Sequence, residues 1–129
     1  MSSAPAWLQG SAVALGAALG ALLRWRAGLS LNASGAGFPI GTLLVNAVGG
    51  LWVGGALAWF DAMPNELLRL LLVTGFLGGL TTFSAFSVES LMLLQRGQWL
   101  LAAGHTAAHV FGALACAAVG HAVMRTLLG

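Results

Sequence analysis

The chain has 129 residues, of which 59% are hydrophobic and 6% are charged, and its formal net charge is +2. Soluble domains average about 25% charged residues, so this composition excludes a water-soluble globule and indicates that lipid covers most of the surface. The basic residues are scattered along the chain, which excludes the clustered basic face of a nucleic-acid-binding protein: Arg24, Arg26, Arg69, Arg96 and Arg125.

Four apolar segments joined by short connections account for most of the chain. They run from about Trp7 to Arg24, from Phe38 to Phe60, from Leu67 to Leu94 and from Trp99 to Leu127. Each approaches or exceeds the ~20 residues that a membrane helix needs. No Lys or Arg precedes the first segment, so we expect a retained helix and not a secretory signal. We predict one all-α domain over residues 1–129, a multi-pass protein of the cell (inner) membrane.

Small residues recur one helical turn apart in three segments. The stripes are Ala12, Gly16 and Gly20 in segment one, Gly50, Gly54 and Ala58 in segment two, and Gly104, Ala108 and Gly112 in segment four. Such stripes let membrane helices pack closely, and packing is the first interpretation. The alternative is that the close approach leaves a narrow path for an ion between helices.

Segment two carries a single amide, Asn46, near its middle. An Asn at this depth usually forms a hydrogen bond across a helix interface. The alternative is that its NH₂ group donates to a passing anion. The residue type and its depth are compatible with both roles.

The middle of segment three is poor helix material. Residues 74–87 include the adjacent Gly78 and Gly79, followed by the adjacent Thr81 and Thr82. A broken helix there would free backbone carbonyls that lipid cannot satisfy. Carbonyls from two chains meeting at this point could enclose a small cation such as Na⁺. The alternative is an intact, glycine-containing helix contact whose hydroxyls bond back to their own carbonyls.

Two aromatic rings follow this stretch on one helical face. Phe83 and Phe86 are three residues apart and alternate with Ser84 and Ser87. Phe in a membrane normally faces lipid, but its ring has a positive edge that can face an anion. A permeant ion must bind well enough to enter and weakly enough to leave. The pattern is therefore compatible with rings that face lipid and with four residues that line an anion path.

Segment four contains His105 and His109, one turn apart on the same face. Two His residues at this spacing can bind a metal, but no third ligand is evident because His121 lies off that face. Polar residues inside a membrane segment tend to face a water-filled cavity. A polar track is therefore the favoured interpretation.

The acidic residues are few and widely separated. Asp61 and Glu66 lie in a connection, and Glu89 lies toward the end of segment three. We expect Glu89 to pair with Arg96 or to snorkel toward the interface. The acids are too scattered for hydrolysis and no nucleophile–base arrangement has a scaffold, so we predict that the protein is not an enzyme.

The arginines give almost no instruction about orientation. Four spans place Arg69 and Arg125 on the side of the termini, and Arg24, Arg26 and Arg96 on the opposite side. Under the positive-inside rule, two arginines on one side and three on the other give almost no preference for either orientation. Our hypothesis is that the chain inserts in both orientations and that the two forms pair as an antiparallel homodimer.

The sequence resembles the Fluc (CrcB) family of fluoride channels over essentially all four segments. The motifs that carry the resemblance are residues 20–25 (GALLRW), 41–49 (GTLLVNAVG) and 75–87 (GFLGGLTTFSAFS). The last motif is long and specific. The resemblance implies passive export of F⁻ that confers fluoride resistance, through two pores of a dual-topology antiparallel dimer with no organic cofactor.

The resemblance also implies roles for single residues. By their match to the motifs, Phe83 and Phe86 turn their ring edges to fluoride, and Asn46 is the pore amide. The backbone carbonyls of Gly78 and Thr81, from both chains, hold a structural Na⁺ at the dimer centre. Each of these roles is an expectation taken from the family pattern.

Other positions match the family less closely. Arg24 is expected near an aqueous vestibule, and Glu89 matches an acidic position after the Phe motif without an assigned role. Ala85 stands where the family often has Thr, which removes a hydroxyl near the rings. His105 and His109 stand where the family has Tyr followed by Ser or Thr, so the polar track differs chemically.

Two other functions compete with a fluoride channel. A small dual-topology multidrug or cation exporter would need a membrane-embedded carboxylate, and segments one, two and four have none. A non-transporting scaffold subunit would explain the glycine stripes but not the hydroxyl and Phe pattern of segment three. Fluoride-selective, uncoupled efflux from purified protein would separate the three readings.

Overall fold

A computed structural model describes residues 4–32 and 38–129 of the chain. The helices are α1 (Ala6–Leu31), α2 (Ile40–Ala62), α3 (Glu66–Arg69), α4 (Gly78–Leu80), α5 (Phe83–Gln95) and α6 (Trp99–Leu128), with a π-helical segment (Leu70–Leu77) between α3 and α4. Four spans are long and apolar enough to cross a membrane, and the third of them covers Glu66–Gln95. This confirms the prediction of an all-α protein with four membrane-spanning helices.

The first helix is longer than predicted. α1 continues past Arg24 to Leu31, because apolar residues continue and Ala27 packs against a core cluster of Val45, Leu77 and Leu80. The predicted end at Arg24 is therefore wrong. The turn residues that the sequence places at 33–37 lie outside the described residues.

Glycines bring the spans together in pairs. α1 packs on the third span, where a Cβ on Gly16 would meet the carbonyl of Leu71. α2 packs on α6, where a Cβ on Gly54 would meet the carbonyl of Ala117. Close backbone contact is the way in which helices gain van der Waals energy in lipid. The packing interpretation of the stripes in segments one and two is confirmed.

The two glycines of the stripe predicted in segment four have no close neighbour within the described chain. A Cβ added to Gly104 or Gly112 would have no neighbour within 4 Å. Gly120 makes the close contact instead, because a Cβ there would meet the carbonyl of Leu51. α6 therefore turns a different face toward α2 than its small-residue spacing predicts.

Two residues with extended backbone torsion angles separate α4 from α5. Thr81 has φ −84° and ψ 156°, and Thr82 has φ −149° and ψ 116°. In an unbroken helix, each N–H donates to the carbonyl four residues earlier. Here the N–H of Thr82 donates to Asn46 Oδ1 (2.8 Å) and that of Ala85 donates to Thr82 Oγ1 (3.1 Å). The carbonyls of Gly78 and Thr81 thereby lose their usual helical donors.

Candidate ion-conduction site

Asn46 clamps α2 to the extended residues of the third span. Its Oδ1 accepts from the N–H of Thr82 at 2.8 Å, and its Nδ2 donates to the carbonyl of Thr82 at 3.0 Å. Nδ2 also lies 3.1 Å from Nδ1 of His109 in α6. Both amide hydrogens thus have partners inside the chain, which matches the cross-helix interpretation of Asn46.

Thr82 is a buried residue that caps the following helix. Its hydroxyl oxygen accepts from the N–H of Ala85, as an N-cap side chain does. Such a cap stabilises a helix by ~1 kcal/mol. Sequence reasoning assigned no role to this side chain, although a Thr directly before a helical stretch is a usual N-cap signal.

The two predicted pore rings occupy different environments in the single chain. Phe83 is 79% exposed, whereas Phe86 is 9% exposed. The Phe86 ring centroid lies 5.3 Å from that of Phe83, 4.8 Å from that of His109 and 5.5 Å from that of His105. Phe86 is therefore held inside an aromatic cluster, and Phe83 lies at the open edge of that cluster.

An open cavity of about 470 Å³ lies beside these rings. It brings together most of the residues that the sequence singled out: Asn46, Gly78, Thr81, Phe83, Phe86 and His109, with Thr82 between them. The predicted anion-facing rings and the predicted cation-binding carbonyls therefore share one face of the chain.

Ser84 and Ser87 line neither this cavity nor the one at Arg24 described below. Ser87 Oγ donates to the carbonyl of Phe83 at 2.9 Å, so its proton is used within α5. Ser84 is exposed, and its Oγ lies 3.2 Å from Oγ1 of Thr82. Of the two hydroxyls, that of Ser84 is the better placed to meet an ion.

Glu89 points into the bundle toward α2 and α6. One carboxylate oxygen accepts from the Thr42 hydroxyl, and the other lies 3.3 Å from Nε2 of His105. Nδ1 of the same ring lies 3.0 Å from the Ser90 hydroxyl. The expected pairing of Glu89 with Arg96 is therefore wrong, because α5 turns this carboxylate away from its own C-terminal end.

Glu89, His105 and His109 each offer one ligand atom, and these atoms lie within 4.8 Å of one another. The third ligand that segment four lacked thus comes from α5. Nε2 of His105 faces Glu89 and its Nδ1 faces the Ser90 hydroxyl. Both ring nitrogens of His105 are therefore already used in internal hydrogen bonds, as expected for a polar track.

One polar atom in this cluster has no hydrogen-bond partner among the described residues. His109 is 5% exposed, and its Nε2 is buried without a hydrogen bond to any described residue. Leaving a buried donor or acceptor unsatisfied costs about 1–3 kcal/mol. Such a cost is tolerated where a further group completes the site.

A second cavity of about 290 Å³ also borders Thr82. Its lining includes Arg24, Thr42, Ala85, Glu89 and Thr82, and Thr82 also lines the first cavity. Arg24 Nε donates to the carbonyl of Gly79 at 3.0 Å. Arg24 therefore lines this cavity and also places a positive charge at the carbonyl end of α4.

Comparison with known proteins shows similarity over nearly the whole chain. Residues 11–121 match the profile of a family described as CrcB-like protein, Camphor Resistance (CrcB). A protein of Aromatoleum aromaticum is 53% identical over 127 residues, covering 97% of this chain and 95% of that protein. A Pseudomonas aeruginosa protein is 51% identical over 125 residues, covering 95% of this chain and 98% of that protein. A Bordetella pertussis protein is 49% identical over 119 residues, covering 91% of each. All three are named fluoride-specific ion channel FluC.

Proposed function

The chain belongs to the CrcB-like family, and from that membership we propose that it is a fluoride-specific ion channel whose anion path runs past Phe83 and Phe86. It is a multi-pass membrane protein and not an enzyme. The function rests on one observation: about half of the residues are identical, over nearly the full length of the chain, to those of relatives named fluoride-specific ion channel. Passive export of F⁻ through such a path would lower cytoplasmic fluoride and so confer resistance.

The third span acts as a broken helix in this proposal. Thr81 and Thr82 are extended, and Asn46 occupies both backbone groups of Thr82. The break turns the start of α5 toward the open cavity and sets Phe86 against the histidines of α6. The positive ring edges then face a narrow path without placing a full positive charge in it.

A structural Na⁺ at the dimer centre fits the residues present. The carbonyls of Gly78 and Thr81 are among those that lose their usual helical donors between α4 and α5, and both residues line the open cavity. Carbonyl oxygens freed by a helix break are suitable ligands for a small hard cation. Bound there, Na⁺ would supply positive charge that holds facing carbonyls of two chains together.

We propose that a second, inverted copy completes the open cavity. Phe83 is 79% exposed although it lines the cavity, and the chain's arginines give almost no preference for one orientation. An inverted partner would bring a second set of Gly78 and Thr81 carbonyls to the centre and form two equivalent anion paths. The dimer would therefore be the conducting unit.

Substitution of the adjacent residues Gly78 and Gly79 by Ala should have different effects, and the difference tests this interface. A Cβ on Gly79 would meet the Ala17 carbonyl, with Ala17 Cα at 3.0 Å, whereas on Gly78 the nearest neighbour would be 3.8 Å away. Gly79→Ala should destabilise the fold by ~1–3 kcal/mol, as overpacking does. Gly78→Ala should leave the protomer folded and weaken the dimer. Thermal unfolding and chemical cross-linking in detergent measure the two effects. A Gly78→Ala variant that dimerises like the wild type would contradict the proposed contact.

Fluoride tolerance tests the function in cells. Expression of the chain in bacteria that lack their own fluoride exporter should raise the fluoride concentration that permits growth, because F⁻ leaves the cytoplasm through the channel. Resistance to cationic drugs should stay unchanged, which separates a channel from the competing multidrug exporter. Growth curves with graded NaF and NaCl measure both responses. Drug resistance without fluoride resistance would overturn the proposal.

A further inference from the structure

We propose that Arg24 is a positioning residue of the conduction site: it holds the helix break of the third span in the geometry in which the carbonyls of Gly78 and Thr81 bind Na⁺. The inference rests on the proposed fluoride channel and deepens it. Its basis is one long-range hydrogen bond, together with the way in which α1 packs along the third span.

The Arg24 side chain joins α1 to the end of α4. Its Nε donates to the carbonyl of Gly79 at 3.0 Å, although the two residues are 55 positions apart in the chain. In an unbroken helix this carbonyl would accept from the N–H four residues later. The extended residues Thr81 and Thr82 interrupt the helix before that point. Arg24 therefore supplies a donor to a carbonyl that the break has freed.

The face of α1 that ends in Arg24 is fitted closely to the third span. Gly16, Gly20 and Arg24 follow one another at intervals of four residues, so they lie on one side of the helix. A Cβ on either glycine would lie 2.7 Å from a backbone nitrogen of the third span. The two glycines bring the helices into backbone contact, and Arg24 ends the same stripe at the break. The register of α1 therefore sets the place at which the guanidinium meets the third span.

The same bond divides the residues of the break between two sides of the third span. Gly79 faces α1, since a Cβ there would lie 3.0 Å from the Cα of Ala17. Gly78 is exposed and lines the open cavity together with Thr81, whereas Gly79 does not line it. Successive residues of a helix differ by about 100° in direction. Holding Gly79 toward α1 therefore keeps Gly78 turned toward the cavity, where the proposed Na⁺ binds.

Charge strengthens this contact. A guanidinium is always ionised, and the carbonyl end of a helix carries a partial negative charge. Arg24 is half-buried in a membrane span, where an ionised side chain is costly unless it has partners. Glu89 lines the same cavity, but within the described residues its carboxylate bonds to groups of α2 and α6 and forms no ion pair with Arg24. The positive charge thus acts on the end of α4.

Loss of the guanidinium should weaken the sodium site. The Gly79 carbonyl would lose this donor, and the end of α4 would no longer be fixed to α1. The neighbouring carbonyls of Gly78 and Thr81 would then lose their fixed positions. A cation held by carbonyls of an unwound segment depends on that spacing, so its affinity should fall.

The sodium dependence of thermal stability tests this role in the full-length protein. The purified protein in detergent is unfolded by heat at graded NaCl, with choline chloride keeping the ionic strength constant. Na⁺ should stabilise the wild type because it binds the folded state. Arg24→Met should raise the NaCl concentration of half-maximal stabilisation by about tenfold, as loss of one charge-assisted hydrogen bond would. Arg24→Lys, which keeps a charged donor, should restore most of the sodium affinity.

Arg26→Met is the matched control. Arg26 is an exposed arginine of the same helix, lies off the face of Gly16 and Gly20, and lines neither the open cavity nor the cavity at Arg24. Its sodium midpoint should equal that of the wild type. If Arg24 only stabilised the fold, Arg24→Met would melt at a lower temperature with an unchanged sodium midpoint, and that result would overturn the inference. So would a wild type whose melting temperature is indifferent to NaCl.

Fluoride efflux from proteoliposomes separates this role from a direct action of the Arg24 charge on the anion. Arg24→Met should slow efflux by about tenfold at low NaCl, and saturating NaCl should restore the rate because it refills the weakened site. A loss that choline chloride and NaCl leave equally large would contradict a role through Na⁺. A wild type without fluoride efflux would instead sink the proposed function and leave the sodium result standing.

Discussion

Replacing Phe86 with Ile should lower fluoride efflux by more than about tenfold, or ~1.4 kcal/mol in the barrier, while leaving the chain folded. The Phe86 ring is 9% exposed and lies between Phe83 and the histidines of α6. Ile is apolar and fills much of the same space, and swaps that nearly conserve volume usually cost less than ~1.5 kcal/mol of stability. Ile lacks the positive ring edge that the proposed path requires at this position. A fluoride electrode outside proteoliposomes measures the rate.

Phe111→Ile is the matched control for this substitution. Phe111 lies on α6, is 68% exposed and lines none of the cavities that contain Phe86. Its replacement should leave efflux unchanged, because it lies outside the open cavity. Equal loss in both variants would point to a general packing effect and not to a role of the Phe86 ring edge. Phe83→Ile should resemble Phe86→Ile, since both rings border the open cavity.

Asn46→Asp should abolish fluoride efflux and lower the thermal stability of the protein. An Asp oxygen would face the carbonyl of Thr82 where Nδ2 now donates at 3.0 Å, and it would give no hydrogen to His109. Leaving buried polar groups unpaired costs about 1–3 kcal/mol, and a new negative charge beside the path repels the anion. Efflux and thermal unfolding of the same preparation measure the two effects.

Asn65→Asp makes the same chemical change without touching the path. Asn65 caps α3 by accepting from the N–H of Leu68 at 3.0 Å, and Asp serves as well at an N-cap. Its conduction and stability should therefore match the wild type. If Asn46→Asp behaved like Asn65→Asp, the clamp between α2 and Thr82 would have no part in conduction.

Much of the site could be predicted from sequence because it is built from one local motif. Gly78, Thr81, Phe83 and Phe86 lie within residues 75–87, and helix propensity and spacing apply within such a stretch. Asn46 was singled out as the only amide in its segment. Its partner could not be predicted, because the clamp joins residues that are far apart in the chain.

The other differences between prediction and structure are also non-local. Glu89 meets His105 because α5 and α6 pack together, and this contact supplies the third group that the spacing of segment four lacked. α6 packs against α2 through Gly120 and not through Gly104, because the contact depends on which face of α6 lies against α2. Local patterns predicted the four spans, and tertiary packing determined the pairings between them.

The most direct test of the account is fluoride efflux from liposomes that contain only the purified protein. With internal KF and a K⁺ ionophore to balance charge, the wild type should release fluoride rapidly, and liposomes loaded with KCl should retain chloride. Efflux should need no proton or sodium gradient, since the path is passive. Equal release of both anions, or fluoride release only under a proton gradient, would contradict a fluoride-selective path lined by the rings of Phe83 and Phe86.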